Sequence, residues 1–129
     1  FFQGMFQTAL GPTEILLGLQ VPRLPGYRFA YEKFPHPASG YAVVGVAAAV
    51  LKEGEALKDV RLAATGAAYA PFRLEGVEAA LRQGMGPKEA TQGYTPPVPL
   101  AEDRFASAEY RLHLLRVLAR RALERALGG

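Results

Sequence analysis

Hydrophobic residues recur every second position in much of the first half of the chain and at helical spacing after Pro71, so the sequence divides into a strand region and a helix region. Residues 1–13 read as a loop broken by Gly4, Gly11 and Pro12. Glu14-Ile-Leu-Leu-Gly-Leu-Gln-Val21 predicts a first strand, stopped by Pro22 and Pro25. Tyr27, Phe29 and Tyr31 then alternate with Arg28, Ala30 and Glu32, which predicts a short extended segment ending near Phe34. Tyr41 to Leu51 is a strand of small and β-branched residues, able to let a neighbour pack very close. Lys52-Glu-Gly-Glu55 is a hairpin turn with Gly54 in its middle, and Ala56 to Thr65 returns with Val60, Leu62 and Ala64 on one face.

Past Pro71 the spacing predicts a helix from Leu74 to Arg82, with Leu74, Val77, Ala80 and Leu81 inward and Gly84 as its stop. A short helix over 87–92 opens on Pro87, a residue suited to a first turn. Thr95-Pro-Pro-Val-Pro99 is a stiff connector, and Ser107 caps a long helix reaching about Leu127. Its expected inward stripe is 108, 112, 115, 118, 119, 122 and 126. Strands first and helices afterwards predict an α+β fold: an antiparallel β-sheet of three to four strands covered on one side by about three helices.

Composition narrows the function. The 129 residues are half apolar and 21% charged, which suits one globular domain rather than a disordered chain. With no cysteine, the chain holds no disulfide and no Cys-ligated zinc or iron–sulfur cluster, and His36 and His113 alone make a poor metal set. The longest apolar run, Ala42 to Leu51, is too short to span a bilayer, and no export signal is visible, so a cytoplasmic location is expected. The formal charge of +3 belongs to the last helix, where five arginines (111, 116, 120, 121 and 125) face Glu109 and Glu124. On a helical wheel Arg116 and Arg120 lie on one flank of the stripe and Arg121 and Arg125 on the other, with Arg111 at its edge. They make no single patch, which argues against nucleic-acid binding and for a solvated face with pairs such as Arg121–Glu124.

No Gly-x-Ser-x-Gly elbow, phosphate loop, Gly-x-Gly-x-x-Gly run or paired-histidine motif occurs, so no catalytic residue is assigned. Glu53 and Glu55 sit on an exposed turn. His36, between Pro35 and Pro37, reads as an ordinary loop histidine. Lys33, two residues before Pro35 at the end of an extended segment, can project its amine from a sheet edge towards a neighbour, or simply into solvent.

Taken in order, Phe1-Phe-Gln-Gly, Thr8-Ala-Leu-Gly-Pro, Glu14-Ile-Leu-Leu, Val21-Pro22, Tyr31-x-Lys33-Phe and Ala38-Ser-x-Tyr41-Ala-Val-Val-Gly-Val46 form a family signature. It continues through Ala64-Thr-Gly66, Pro71-x-Arg73, Glu78-x-x-Leu81, Ser107-Ala-Glu-Tyr-Arg111 and Arg120-Arg-Ala-Leu123. The chain resembles the C-terminal domain of the FAD-binding medium subunit of molybdenum hydroxylases, the aerobic carbon monoxide dehydrogenase and xanthine dehydrogenase family. The resemblance implies that residues 1–129 are one domain of a longer subunit whose upstream FAD-binding domain lies outside this chain. The absence of an initiating methionine suits that expectation.

It further implies three partners: the subunit's own N-terminal FAD-binding domain, a large molybdopterin subunit and a small subunit with two [2Fe–2S] clusters. Electrons in such an oxidoreductase run from molybdopterin through the clusters to FAD. Neither nucleic acid nor a membrane span is expected. Two residues carry over as flavin contacts, Leu16 in the Glu-Ile-Leu-Leu strand and Lys33 before the small-residue strand. An aliphatic side chain can pack on the isoalloxazine, and an ammonium can bond its pyrimidine carbonyls and favour negative charge there. The loop Pro35-His-Pro-Ala-Ser-Gly40, without formal charge, suits the carbon monoxide dehydrogenase-like branch better than the xanthine dehydrogenases. Alone, the domain should neither bind FAD tightly nor catalyse a reaction. The rival expectation is a freestanding dimerisation or scaffold domain without a redox role.

Overall fold

In the computed structural model, which describes residues 1–128, a short hairpin of β1 (Phe2–Gly4) and β2 (Gln7–Thr8) precedes a four-stranded antiparallel sheet. The sheet has the order β3 (Arg28–Pro35), β4 (Ala42–Glu53), β5 (Ala56–Thr65) and β6 (Phe72–Arg73). Helices α1 (Glu75–Arg82), α2 (Pro87–Gln92) and α3 (Ala108–Leu127) follow. The expected α+β class is what forms: α3 lies on β3 and β4, α1 on β5, and α2 on α3.

The β4–β5 hairpin is the frame. Gly54 takes φ 60° at its tip, where a side chain would be strained. The register sets Val50 opposite Val60, Ala48 opposite Leu62 and Val46 opposite Ala64, so six apolar side chains share one face. They are buried against Leu74, Val77, Leu81, Leu115, Leu118, Ala119, Ala122 and Leu123. Leu62, Leu115 and Leu123 have no accessible surface, and each contributes roughly 2 kcal/mol by leaving water. Alanines at 30, 48, 119, 122 and 126 keep the facing surfaces thin, which allows a twenty-residue helix to sit tightly on the two strands.

Helix ends follow local chemistry. Ser107 Oγ accepts the Tyr110 N–H at 3.1 Å, and Gly128 closes α3 in the left-handed conformation. Pro87 stands at the first turn of α2, and Gly84 ends α1 at φ 92°.

Four expectations are corrected. Residues 14–21 form no strand, because nothing among the described residues pairs with them. Within 1–13, read as loop, the small β1–β2 hairpin forms. In α1 the buried set includes Glu78 while Ala80 is only half-buried, since Glu78 meets three donors in the core. In α3 the stripe is rotated: Arg111, Leu114 and Leu123 are buried, and Ala108 and Leu112 only half-buried. The cause is Arg111, whose guanidinium reaches back into the sheet.

Candidate functional site

Alternation along β3, β4 and β5 leaves a second face of the sheet without helices. Phe29, Tyr31 and Lys33 stand opposite Ala49, Ala47 and Gly45, which in turn face Arg61, Ala63 and Thr65. The middle strand presents only small residues there, so the face is a shallow trough with aromatics along one side and Arg61 and Arg73 along the other. A Cβ at Gly45 would come within 2.5 Å of Tyr31 Oη and 3.2 Å of Thr65 Cγ2. Glycine is what lets the Tyr31 phenol lie over the central strand. Phe29 and Tyr31, on the edge strand β3, remain 63% and 50% exposed, which leaves two aromatic rings uncovered on this face.

Lys33 lies on this face at the far end of β3, exposed as expected. Its Nζ donates to the Gly40 carbonyl at 2.9 Å, across the Pro35–Gly40 loop. The loop closes through two backbone bonds, His36 N–H to Tyr41 O at 2.7 Å and Gly40 N–H to His36 O at 2.8 Å. His36 Nδ1 accepts the Ala38 N–H at 3.2 Å, and its ring meets the Phe105 ring edge-on at 4.4 Å between centroids. These contacts give His36 a structural place in the loop and leave Lys33 as the group presented outward.

The trough's other end is closed by Tyr27. Its hydroxyl donates to Asp59 Oδ2 at 2.6 Å, and Arg61 Nε donates to the same oxygen at 2.8 Å. The Tyr27 hydrogen bond above all, with help from Arg61, lowers the Asp59 pKa from 3.8 to about 2, against the opposing effect of burial. A carboxylate with a depressed folded-state pKa adds stability that is complete above its unfolded value and is lost as pH falls through the folded one. Stability should therefore decline between about pH 4 and pH 2 in part through Asp59. Denaturant midpoints across that window should show a shallower decline for Asp59→Asn, and equal slopes would remove this assignment.

Before Tyr27 the chain departs from the sheet. Ten large hydrophobic side chains between Phe1 and Val21 are exposed, among them Leu16 at 52%, Leu17 at 92% and Phe6 at 101%. Phe6 also holds φ 55° at the tip of the β1–β2 hairpin, a conformation a bulky residue rarely adopts. Leu16 thus stands on an exposed, unpaired arm and not in a strand. No hydrogen bond or strand pairing among the described residues brings it to Lys33.

The arginines of α3 divide as expected into separate positions, with different partners. Arg116 Nε donates to Tyr94 O at 2.7 Å, Arg120 pairs with Glu124 at 2.8 Å, and Arg125 pairs with Glu32 at 2.9 Å. The pair with Glu124 is made by Arg120, at the i,i+4 spacing, rather than by Arg121. Arg111 is the residue whose role sequence reasoning missed. It is 6% exposed and donates to Val43 O at 2.6 Å, Gly66 O at 2.8 Å and Asp103 Oδ2 at 2.7 Å. The available signal was phase, since 111 continues the series 115, 118 and 122.

Residues 29–126 match the model of the CO dehydrogenase flavoprotein C-terminal domain. The chain is 31% identical over 133 residues to the glyceraldehyde dehydrogenase medium chain of Sulfolobus acidocaldarius, covering 96% of this chain and 46% of that protein. It is 30% identical over 131 residues to the carbon monoxide dehydrogenase medium chain of Hydrogenophaga pseudoflava, covering 98% and 46%. Among solved structures, the Hydrogenophaga pseudoflava carbon monoxide dehydrogenase lacking the Mo-pyranopterin moiety superposes with a TM-score of 0.86 at 30% identity, over 98% of this chain and 46% of that chain. A cyanide-inactivated Cu,Mo-CO dehydrogenase gives a TM-score of 0.87 at 28% identity, over the same shares. The chain therefore spans about half the length of these relatives. By its sequence and by its fold, it belongs to the CO dehydrogenase flavoprotein C-terminal domain family.

Proposed function

We propose that this chain is the C-terminal domain of the FAD-binding subunit of a molybdenum hydroxylase, covering one side of the flavin and docking against the domain that holds most of it. The exposed apolar arm carries this reading. Ten large hydrophobic side chains in the first 21 residues face water in this chain, and a soluble protein covers such a surface with a partner. The family's medium-chain relatives, about twice as long, favour a partner domain in the same polypeptide.

The residues present suit a flavin in two respects. Lys33 offers an exposed ammonium on the helix-free sheet face, with a carbonyl as its one hydrogen-bond partner among the described residues. Leu16 offers an exposed aliphatic surface on a segment whose backbone is unpaired. When bound, FAD supplies the redox chemistry. Lys33 would exchange Gly40 for the pyrimidine carbonyls and favour negative charge on that half of the ring, while Leu16 would pack on the ring face and exclude water. Electrons would arrive from a molybdopterin subunit through an iron–sulfur subunit. The substrate would be chosen in the molybdopterin subunit.

Two measurements test this. The 129-residue chain should purify without stoichiometric FAD and should not reduce a dye, whereas the complete subunit should be yellow. In the complete subunit, Lys33→Met should lower the flavin reduction potential by roughly 20–60 mV, since a cation near the ring is lost. Lys33→Arg should restore most of it. An unchanged potential at full FAD occupancy would remove Lys33 from the site.

A further inference from the structure

We propose that the groove between α2 and α3 is a binding site for a small molecule carrying a phosphate or diphosphate group. The groove lies on the helical side of the sheet, opposite the trough that carries Lys33, and its role does not depend on the flavin reading. Lys88 from α2 and His113, Arg116 and Arg120 from α3 line it, with Gln92 beside them and Val117 as an apolar patch on the wall. Spacing sets 113, 116 and 120 on one flank of α3, since they follow at i+3 and i+4. The packing of α2 on α3 brings the fourth basic side chain, Lys88, to the same groove.

The charges here are arranged unlike those elsewhere in the fold. Arg61, Arg73, Arg82, Arg111 and Arg125 each meet a carboxylate at 2.7–3.5 Å. By contrast, none of the three carboxylates of α2 and α3, Glu89, Glu109 and Glu124, lines the groove. Glu89 accepts the Gly86 N–H at 3.3 Å, and Glu124 is held by Arg120 Nε at 2.8 Å. Lys88 and His113 are exposed, and neither side chain makes a hydrogen bond or ion pair among the described residues. Arg116 and Arg120 are like charges one helical turn apart, an arrangement that costs stability and that a bound anion relieves.

Arg116 is fixed in advance. Its Nε donates to Tyr94 O at 2.7 Å and its Nη2 to Thr95 Oγ1 at 3.4 Å, which leaves Nη1 without a partner among the described residues. A guanidinium held in this way loses little freedom when it grips an oxyanion. Lys88, Arg116 and Arg120 against Glu124 leave a formal charge of +2. That balances a phosphate group, about −2 at neutral pH, and exceeds what one carboxylate needs. At about 260 Å³ the groove admits a phosphate or diphosphate but falls below the roughly 300–1,000 Å³ of pockets that enclose a drug-sized ligand. The remainder of the molecule would extend into solvent. A nucleic-acid backbone needs basic charge repeated along a track, which this short groove lacks.

Calorimetric titration of the full-length protein with inorganic pyrophosphate, at an ionic strength held constant with chloride, tests the site. Binding with a Kd below about 1 mM is expected. Lys88→Gln, at an exposed position, should weaken it at least about 3-fold, and Lys88→Gln combined with Arg120→Gln at least about 10-fold. Arg121→Gln, on the other flank of α3, should leave binding unchanged. Succinate, a dianion without a phosphoryl group, should bind at least about 5-fold more weakly than pyrophosphate. Absent binding, binding that survives the paired replacement, equal weakening by Arg121→Gln, or equal affinity for succinate overturns the proposal. So does an oligonucleotide whose affinity exceeds that of pyrophosphate and grows with length, because the ligand is then a polymer.

Discussion

Arg111→Met is expected to destabilise the domain by about 3 kcal/mol, the largest effect expected from replacing any arginine of α3. Methionine fills much of the volume but supplies no donor. The carbonyls of Val43 and Gly66 would lose their bonds from Nη1, and Asp103 its bond from Nη2. These three acceptors lie at the start of β4, after the end of β5 and in the turn before α3, so one guanidinium ties helix and sheet together. Asp103 already accepts the Phe105 and Ala106 N–H groups, and these bonds, the first above all, with Arg111, hold its pKa below the usual carboxylate value. Arg111 Nε is buried without a partner, which offsets part of the gain. Lysine should recover only part of the loss, since a point charge cannot span three acceptors in a fixed fork. Exposed Arg121 is the control, and its replacement by methionine should fall within about 0.5 kcal/mol of the parent. Urea denaturation decides it, and an Arg111→Met midpoint equal to the control's would overturn the assignment. The damage should reach the candidate site, because Arg111 and Phe105 border the same hollow as the His36 loop that places Gly40 beside Lys33.

Glu78→Leu is expected to cost about 2–3 kcal/mol. β6 pairs with β5 only at Ala63 and Ala64, leaving the rest of that edge without a neighbouring strand. Side chains of α1 stand in for it. Glu78 Oε1 accepts the Leu62 N–H at 2.8 Å, and Arg82 donates to Val60 O at 2.9 Å. Glu78 also holds Arg73 through two bonds of 2.8 Å, which explains a carboxylate only 2% exposed. Leucine would leave the Leu62 N–H buried and unpaired. Arg73, nearly half exposed, would turn to solvent at small cost. Glutamine retains one acceptor oxygen and should lose about half as much. Faster exchange of the Leu62 amide, together with the lower midpoint, identifies the cause as the lost acceptor. An unchanged amide would point elsewhere.

The two expectations that failed in the arm and in α3 have one origin. Period-two alternation in 14–21 reports what a segment can bury, and here no strand of this chain receives it. The expected stripe in α3 sorted residues by hydrophobicity, and so placed Leu112 inward and Arg111 at the edge. A guanidinium becomes a core residue only where backbone carbonyls converge on it, and Val43 and Gly66 come from segments 68 and 45 positions away. Glu78 is the same case, buried by donors on β5 and β6 that its helix cannot reveal.

Local rules were enough elsewhere. Gly54 between alternating segments gave the hairpin, Ser107 and Pro87 gave helix starts, and small residues over 42–50 gave the central strand with helices against it. Each depends on contacts within a few residues or on one face's apolarity, which a sequence carries directly. The ordered run of short motifs likewise carried the family. Tertiary structure alone decided which polar groups are buried, that Tyr31 lies over Gly45, that Tyr27 latches to Asp59, and that Lys33 is outward while His36 is committed to its loop. Those outcomes depend on register between distant strands and on carbonyls and carboxylates converging in space, where a shift of one residue would turn every side chain to the opposite face.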